Sequence, residues 1–480
     1  MNALRIDICF IIIGLINFSC KAPSNNQKPN IILFVVDDLG WTDLGYMGNT
    51  YNSTPNIDRL ANEGTIFTDA YSNAPNCAPT RACLLSGQYS PRHGVYTVGS
   101  PERGKSMYRK LIPSENKTEL PAENMTFAEV LQDNGYVTAH FGKWHLGDGP
   151  TGPLNRGFDF NYAGNRAGNP KSYFSPYNNK NLADGPDGEY LTDRLANEAI
   201  SFIEHNKDST FFVYFPFYNV HTPLQAKSDL IAKYEPKDCD RIKCNPTYAA
   251  MVESVDQAVG TVFNKIVETG LSQNTIMFFT SDNGPFLPAS TAEPLRGSKG
   301  MLYEGGIRIP MFIWHPKYNG IVKKTEIPVI SIDFFPTLLD LVSIDKPEEK
   351  ELDGKSLVPI IKNETFYREH LYWHFPAYLQ RYAGVKHIFR TAPAGAMRKD
   401  HWKIIEFFED RTVELYNLDL DISESHDVSK QYPDITEQML KELESWREST
   451  NAPIPTEINP EFDQTLYDTR LNEIKADLYD

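Results

Sequence analysis

The chain has 480 residues, a formal net charge of −16 and a pI near 5.2. With 41% hydrophobic and 23% charged residues, 30 Gly and 33 Pro, it is neither collagenous nor low in complexity nor wholly disordered, and its length suits two to four domains or one large α/β domain with an appendage. The acidic balance lacks the basic footprint of a general nucleic-acid binder, and an anionic substrate would have to be drawn by a local cluster of cations or a bound metal.

In chain order, residues 1–20 read as an export signal, with Arg5 ahead of an apolar run, 8–18, that is shorter than the ~20 residues needed to span a bilayer. The run ends at Ser19-Cys20-Lys21, which resembles a bacterial lipoprotein processing site. That reading places the protein in the periplasm or at the cell surface, with a lipid anchor at Cys20; the alternative is an ordinary cleaved signal with an incidental cysteine. Loss of residues 1–20 removes one Arg and one Asp, so the charge stays at −16. Residues 21–29 are polar and suit a tether. Residues 30–36 form a continuous apolar run, the pattern of a strand buried on both faces, and 137–141, 211–217 and 275–280 look alike. Helical patterns alternate with them. Thr126 caps a helix through Gln132 with Glu129 completing a capping box, and helices are also predicted over 190–205 and 247–268. This alternation predicts βαβ units and a mostly parallel sheet. After residue 360 the character changes to short strands at 370–375, 402–408 and 413–418 and a helix at 434–447. The division expected is a catalytic α/β domain over 30–360 and an α+β subdomain with its tail over 361–480, the tail from 451 wrapping the surface. There are no internal repeats. Cys239 and Cys244 flank a short polar loop that suits a disulfide in an oxidising compartment.

The chemistry gathers at the strand ends. The first apolar run closes on Asp37-Asp38 and a later one on Ser281-Asp282-Asn283-Gly284. In open α/β sheets ligands bind beyond the carboxyl ends of the strands, and three carboxylates meeting there repel one another unless a hard cation joins them. Each acid could instead cap a following turn. The segment that decides is Asn76-Cys77-Ala78-Pro79-Thr80-Arg81-Ala82-Cys83-Leu84-Leu85-Ser86-Gly87, followed by Arg92-His93-Gly94. Its Cys-x-Pro-x-Arg core resembles the modification signature of the type I sulfatases. Further blocks are similar to that family in the expected order: 35–40, 54–61, Gly142-Lys143-Trp144-His145-Leu146-Gly147, Asn219-Val220-His221-Thr222-Pro223, 280–284, Arg296-Gly297-Ser298-Lys299-Gly300 and 304–310. The resemblance covers most of residues 29–450.

The resemblance implies an alkaline phosphatase-like α/β fold, with a large mostly parallel sheet flanked by helices and a smaller C-terminal antiparallel α+β subdomain. It implies that a formylglycine-generating enzyme oxidises Cys77 to 3-oxoalanine (formylglycine). One hydroxyl of the aldehyde hydrate would attack sulfur, leaving a covalent sulfate ester, and the second would collapse to expel sulfate. Asp37, Asp38, Asp282, Asn283 and residue 77 would hold the cation, and calcium suits such mixed oxygens better than octahedral magnesium. Arg81 would hold residue 77 by charge-assisted bonds, and Lys143 and Lys299 would neutralise sulfate oxygens. His221 and His145 are the acid for the leaving oxygen and the base that collapses the ester, in either order, with Lys299 a third candidate for the leaving-group proton. Trp144 is expected to pack beneath the site, and Glu304, Arg308 and Pro310 to shape a turn in which Gly305 and Gly306 permit tight backbone. The export signal suits a sulfated carbohydrate as partner and substrate: an algal polysaccharide of ulvan or carrageenan type, or a glycosaminoglycan. Candidate sugar contacts are Arg92, His93, Arg166, Lys171, His370 and His374. Two alternatives stay open: a phosphodiester or phosphonate monoester hydrolase of the same superfamily, and a non-catalytic surface glycan-binding lipoprotein.

Overall fold

The computed structural model describes residues 28–239, 244–382 and 385–476, so the predicted export signal, Cys20 and most of the predicted tether lie outside the described residues. Eight strands build the main sheet: β1 (Asn30–Val36), β2 (Thr65–Phe67), β3 (Val137–Phe141), β4 (Phe160–Tyr162), β5 (Phe211–Pro216), β6 (Thr275–Ser281), β7 (Met311–Trp314) and β8 (Lys324–Thr325). Their order is β4-β3-β5-β1-β6-β7-β2-β8. Every pair is parallel except the two made by β7.

The expected two-sided burial of the central strand is present, and its alternation supplies two cores. Ile32, Phe34 and Val36 face a cluster with the helices α1 (Pro55–Glu63), α4 (Leu191–His205) and α5 (Pro246–Glu268). Ile31, Leu33 and Val35 face the opposite cluster with α2 (Cys77–Ser86), α3 (Phe127–Asp133) and α6 (Phe334–Leu341). Helix α3 starts at the predicted capping box: Thr126 Oγ1 accepts the Glu129 N–H at 3.2 Å, and Glu129 Oε2 accepts the Thr126 N–H at 2.6 Å. Parallel register then places the functional tips together. Val36 stands opposite Ser281, and Val35 opposite both Thr280 and Pro216, so β1, β5 and β6 end at one edge.

The second sheet is antiparallel, in the order β9 (His370–Phe375), β10 (Ala394–Lys399), β11 (Trp402–Phe407), β12 (Val413–Asn417). One face contributes Trp373, Phe375 and Ile405 to a core shared with Tyr71, Ile307 and Ile332. The other packs Met397, Ile404 and Leu415 on Met439 and Leu443 of α7 (Pro433–Ser449). Strand β10 has no signal in the sequence, because Ala-Gly-Ala-Met-Arg-Lys is poor in β-branched and aromatic residues and pairing with both neighbours makes it a strand. The tail also differs from expectation. It ends in a helix, Gln464–Ala476, whose Tyr467 and Ile474 are buried with Tyr378, Ile388 and Phe389. A disulfide joins Cys239 and Cys244.

Candidate active site

Three chain segments leave the carboxyl edge of the sheet and meet. Asp37 and Asp38 follow β1, Asp282 and Asn283 follow the last pairing of β6, and Lys143 follows β3. Backbone bonds lock them: the Asp37 N–H donates to Asn219 O at 2.8 Å, the Asp282 N–H to Val36 O at 3.1 Å and the Lys143 N–H to Pro216 O at 2.7 Å. That last contact needs Gly142. Its φ is +126°, and a Cβ there would stand 2.0 Å from Pro216 O. Ser281 ties the two acidic tips, since its hydroxyl accepts the Leu39 N–H at 3.2 Å and donates to Asn283 O at 2.9 Å. Ser281 and Asn219 lie inside the matched blocks, but their positioning roles needed the fold to appear.

Cys77 opens helix α2 and is 2% exposed. Atoms of Asp37, Cys77 and Asp282 lie within 4.8 Å of one another, as do atoms of Asp37, Asp38 and His221. The sulfur marks where the oxygens of a modified residue would stand. All nine residues predicted from the sequence, together with Cys77, converge here. Each carboxylate has its own cation: Asp37 with Lys143 at 2.5 Å, Asp38 with Lys299 at 2.6 Å and Asp282 with Arg81 at 2.7 Å. Arg81 also donates to the Lys143 carbonyl at 3.0 Å, which binds the helix that begins at Cys77 to the third tip. Burying a charge without a partner costs several kcal/mol, so these pairings make the cluster tolerable.

The environment divides the carboxylates. Burial and the neighbouring Asp282 hold the Asp37 carboxyl well above the usual range, whereas Lys299 and His221 draw Asp38 below it despite burial. Burial likewise pushes the Cys77 thiol up, with Lys143 and Lys299 opposing it. His221 is pushed down to about 3 by burial and by Lys299. Its Nδ1 lies 2.8 Å from Thr222 O, which assigns the proton to Nδ1 and leaves the Nε2 lone pair 3.8 Å from Asp38. His145 is lowered by burial and Lys143, and its buried Nδ1 has no partner. Gly168 packs on this ring, where a Cβ would come within 2.5 Å of Cε1, and no sequence pattern singled it out.

The donor set fits a hard divalent cation. Asp37 Oδ1 and Asn283 Oδ1 are buried and have no hydrogen-bond partner, and both belong to the predicted ligand set. An uncompensated oxygen in the interior is costly unless a cation or water meets it.

Trp144 packs as expected, 1% exposed with its indole N–H donating to Thr151 O at 2.8 Å. The expected turn is present too: the Gly284 N–H donates to Gly306 O at 3.0 Å, and a Cβ on Gly284 would meet Gly305 O at 1.9 Å. Most sugar-contact candidates need correction. His93 is buried against Cys83 Sγ at 3.3 Å, and His374 is buried with its Nε2 2.9 Å from Pro453 O. Arg92 is held by Asp353 at 2.8 Å and Glu351 at 2.7 Å, and His370 by Glu442 at 3.1 Å. Intramolecular partners occupy these four. Arg166 and Lys171 remain exposed.

The Sulfatase family model matches residues 29–344, and the model for the C-terminal part of N-sulphoglucosamine sulphohydrolase matches 297–449. The chain is 34% identical to a sulfatase of Formosa agariphila over 89% of its own length and 90% of the relative's. It is 32% identical to N-acetylgalactosamine-6-sulfatase of Rattus norvegicus, covering 71% of this chain and 68% of the relative. Among solved structures it is similar to Ps i-CgsB, with a TM-score of 0.74 and 32% identity, covering 94% of this chain and 98% of that one. The phosphonate monoester hydrolase of Agrobacterium radiobacter has a TM-score of 0.68 at 19% identity, covering 88% of this chain and 96% of that one, a likeness of fold alone. The blocks read from the sequence, the buried cluster they form and these relatives agree, and the chain belongs to the sulfatase family of sulfuric ester hydrolases.

Proposed function

We propose that this sulfatase hydrolyses sulfate esters of an algal polysaccharide, with residue 77 carried as formylglycine and a calcium ion held by Asp37, Asp38, Asp282 and Asn283. The observation that supports it is the meeting of four ligand side chains, two with orphaned buried oxygens, at a cysteine in the sequence Cys-x-Pro-x-Arg. Ps i-CgsB, the similar structure, has also been solved in complex with k-i-k-neocarrahexaose, which favours a sulfated galactan among algal glycans. The export signal and the lipid anchor at Cys20 belong to the same proposal: an enzyme facing outward meets polymers too large to import.

Bound together, the aldehyde hydrate and the cation supply a nucleophilic hydroxyl at neutral pH and a second hydroxyl that lets sulfate leave. The protein's own residues do the rest. As the site stands, three carboxylates are balanced by three cations. A divalent ion would leave it two positive charges in excess, which draws an anionic ester into an otherwise acidic protein. Lys143 and Lys299 place ammonium groups where charge develops on the sulfate oxygens. Arg81 fixes the first turn of α2 and so the position of residue 77. His221 Nε2, His145 and Lys299 are the groups that move protons to the leaving oxygen and from the hydrate.

Mass spectrometry of the peptide containing residue 77, from protein made alongside a formylglycine-generating enzyme, should find the aldehyde. The modified protein should turn over an aryl sulfate far faster than an aryl phosphodiester. The reverse preference would assign it to the phosphonate or phosphodiester hydrolases, and an intact thiol in the native host would assign it to glycan binding without catalysis.

A further inference from the structure

Two arginines outside every matched motif, Arg103 and Arg390, come from segments packed around Gly300 and Phe389. Arg390 lies in the short strand Phe389–Thr391, with its guanidinium 4.9 Å from the ring centre of Tyr382. It also lies over Gly300, where a Cβ would stand 2.7 Å from Nε. Gly300 follows Lys299 and donates its N–H to Pro75 O at 2.6 Å, two residues before Cys77. Arg103 comes from the loop that precedes Gly104 and donates Nη2 to Val98 O. That loop is seated on the same wall: the Tyr378 N–H donates to Pro101 O at 2.9 Å, and a Cβ on Gly104 would come 2.7 Å from the Phe389 ring.

Among the described residues neither guanidinium forms an ion pair with a carboxylate, and Arg390 Nε is buried without a hydrogen-bond partner. This is unusual in a chain of charge −16, where Arg92, Arg308, Arg368 and Arg398 each hold an acid at 2.8 Å or less. Arg103 feels the charges of Arg390 and Cys77, and Arg390 feels those of Tyr382, Asp38 and Cys77. Burial and the charge of Arg390 push Arg103 down, and burial pushes Arg390 down, yet a guanidinium stays protonated. Two partly buried guanidinium groups with no carboxylate in contact carry a cost that a bound anion would relieve, even with Asp38 acting on Arg390 from a distance. Arg390 also borders a cavity of about 740 Å³ whose lining mixes Lys110, Arg296 and Lys386 with Glu409, Asp410 and Glu414, room enough for further sugar units.

We propose that Arg103 and Arg390 form an anion subsite beside residue 77, and that the enzyme selects carbohydrates bearing a second anionic group near the scissile sulfate ester. This rests on the sulfatase reading of the site. A tetrahedral sulfate and a planar uronate carboxylate both present a pair of neighbouring oxygens that a guanidinium grips with paired N–H donors.

The test compares kcat/KM on three oligosaccharides with the same scissile ester: one otherwise neutral, one with a second sulfate and one with a uronate. The expected result is at least a tenfold preference of the wild-type enzyme for one or both dianionic substrates, expressed in KM and weakened by added salt. Which of the two is preferred tells sulfate from carboxylate. Arg390→Gln and Arg103→Gln should each reduce that ratio about tenfold, and Arg390→Lys should reduce it less. No wild-type preference, a preference indifferent to salt, or equal losses on neutral and dianionic substrates would overturn the subsite. The wild-type arms stand even where a variant fails to fold. Failure of the underlying reading looks different: protein confirmed to carry the aldehyde at residue 77 would cleave no sulfate ester at all.

Discussion

Lys403 is the sharpest place to test how the C-terminal sheet supports the site. It rises from β11 with no exposure, and its ammonium lies 2.9 Å from Glu304 and 2.8 Å from Glu424, both also fully buried. Glu304 accepts in addition from Tyr71 at 2.7 Å and from Arg308 at 3.3 Å, and its N–H donates to Glu424 at 2.6 Å. Glu304 begins the turn whose Gly305 and Gly306 pack on Gly284, one residue past Asn283. Lys403→Met keeps the stem and deletes the charge, leaving two carboxylates with less than their counter-charge. Breaking a buried pair in this way costs about 3–5 kcal/mol. With an unfolding entropy of about 2.1 cal/mol/K per residue over roughly 450 residues, near 1 kcal/mol/K, Tm should fall by about 3–5 °C if the chain unfolds as one unit. Scanning calorimetry reads this directly. Lys403→Met combined with Glu424→Gln should recover part of the loss, because the uncompensated charge is gone. A single variant within 1 °C of wild type, or a double variant no better than the single, would refute the reasoning.

The same cluster carries a pH signature. Burial and Glu304 push Glu424 from 4.5 up to about 7, against the pull of Lys403. The native state therefore holds a proton that the unfolded chain releases, so this group's stabilisation is complete below 4.5 and is lost as pH rises toward about 7. The Tm advantage of wild type over Glu424→Gln should shrink across that window, and a growing advantage would contradict the assignment. At the active site, Cys77→Ala should abolish turnover, since it removes both the attacking and the expelling hydroxyl; near-normal rates would refute the nucleophile. Asp282→Asn should lower bound calcium, measured by atomic absorption, together with activity by at least about a hundredfold, as expected for loss of a ligand and of Arg81's partner. Unchanged calcium content would remove Asp282 from the ligand set.

Much of this protein was legible before any coordinates. Strand β1 reads as buried on both faces because Asn30–Val36 has no polar face to offer water. The capping box at Thr126 and Glu129 is a local bargain between neighbours and needs nothing else. The candidate site residues are legible for a related reason, since each sits in a short block that resembles a block of the family. What the chain alone leaves hidden is whatever depends on distant partners. Ala394–Lys399 becomes a strand only through two neighbours, and the tail becomes a helix by burying Tyr467 and Ile474 on Tyr378 and Phe389. His93 and His374 look available for a sugar until the fold seals them, whereas Arg390 looks unremarkable until it is laid over Gly300 with its Nε buried and unpartnered. Sequence determines which chemistry the chain can hold, because backbone propensity and side-chain type are local; tertiary structure decides which charges are neutralised, because electrostatic pairing depends on distance through space and on burial.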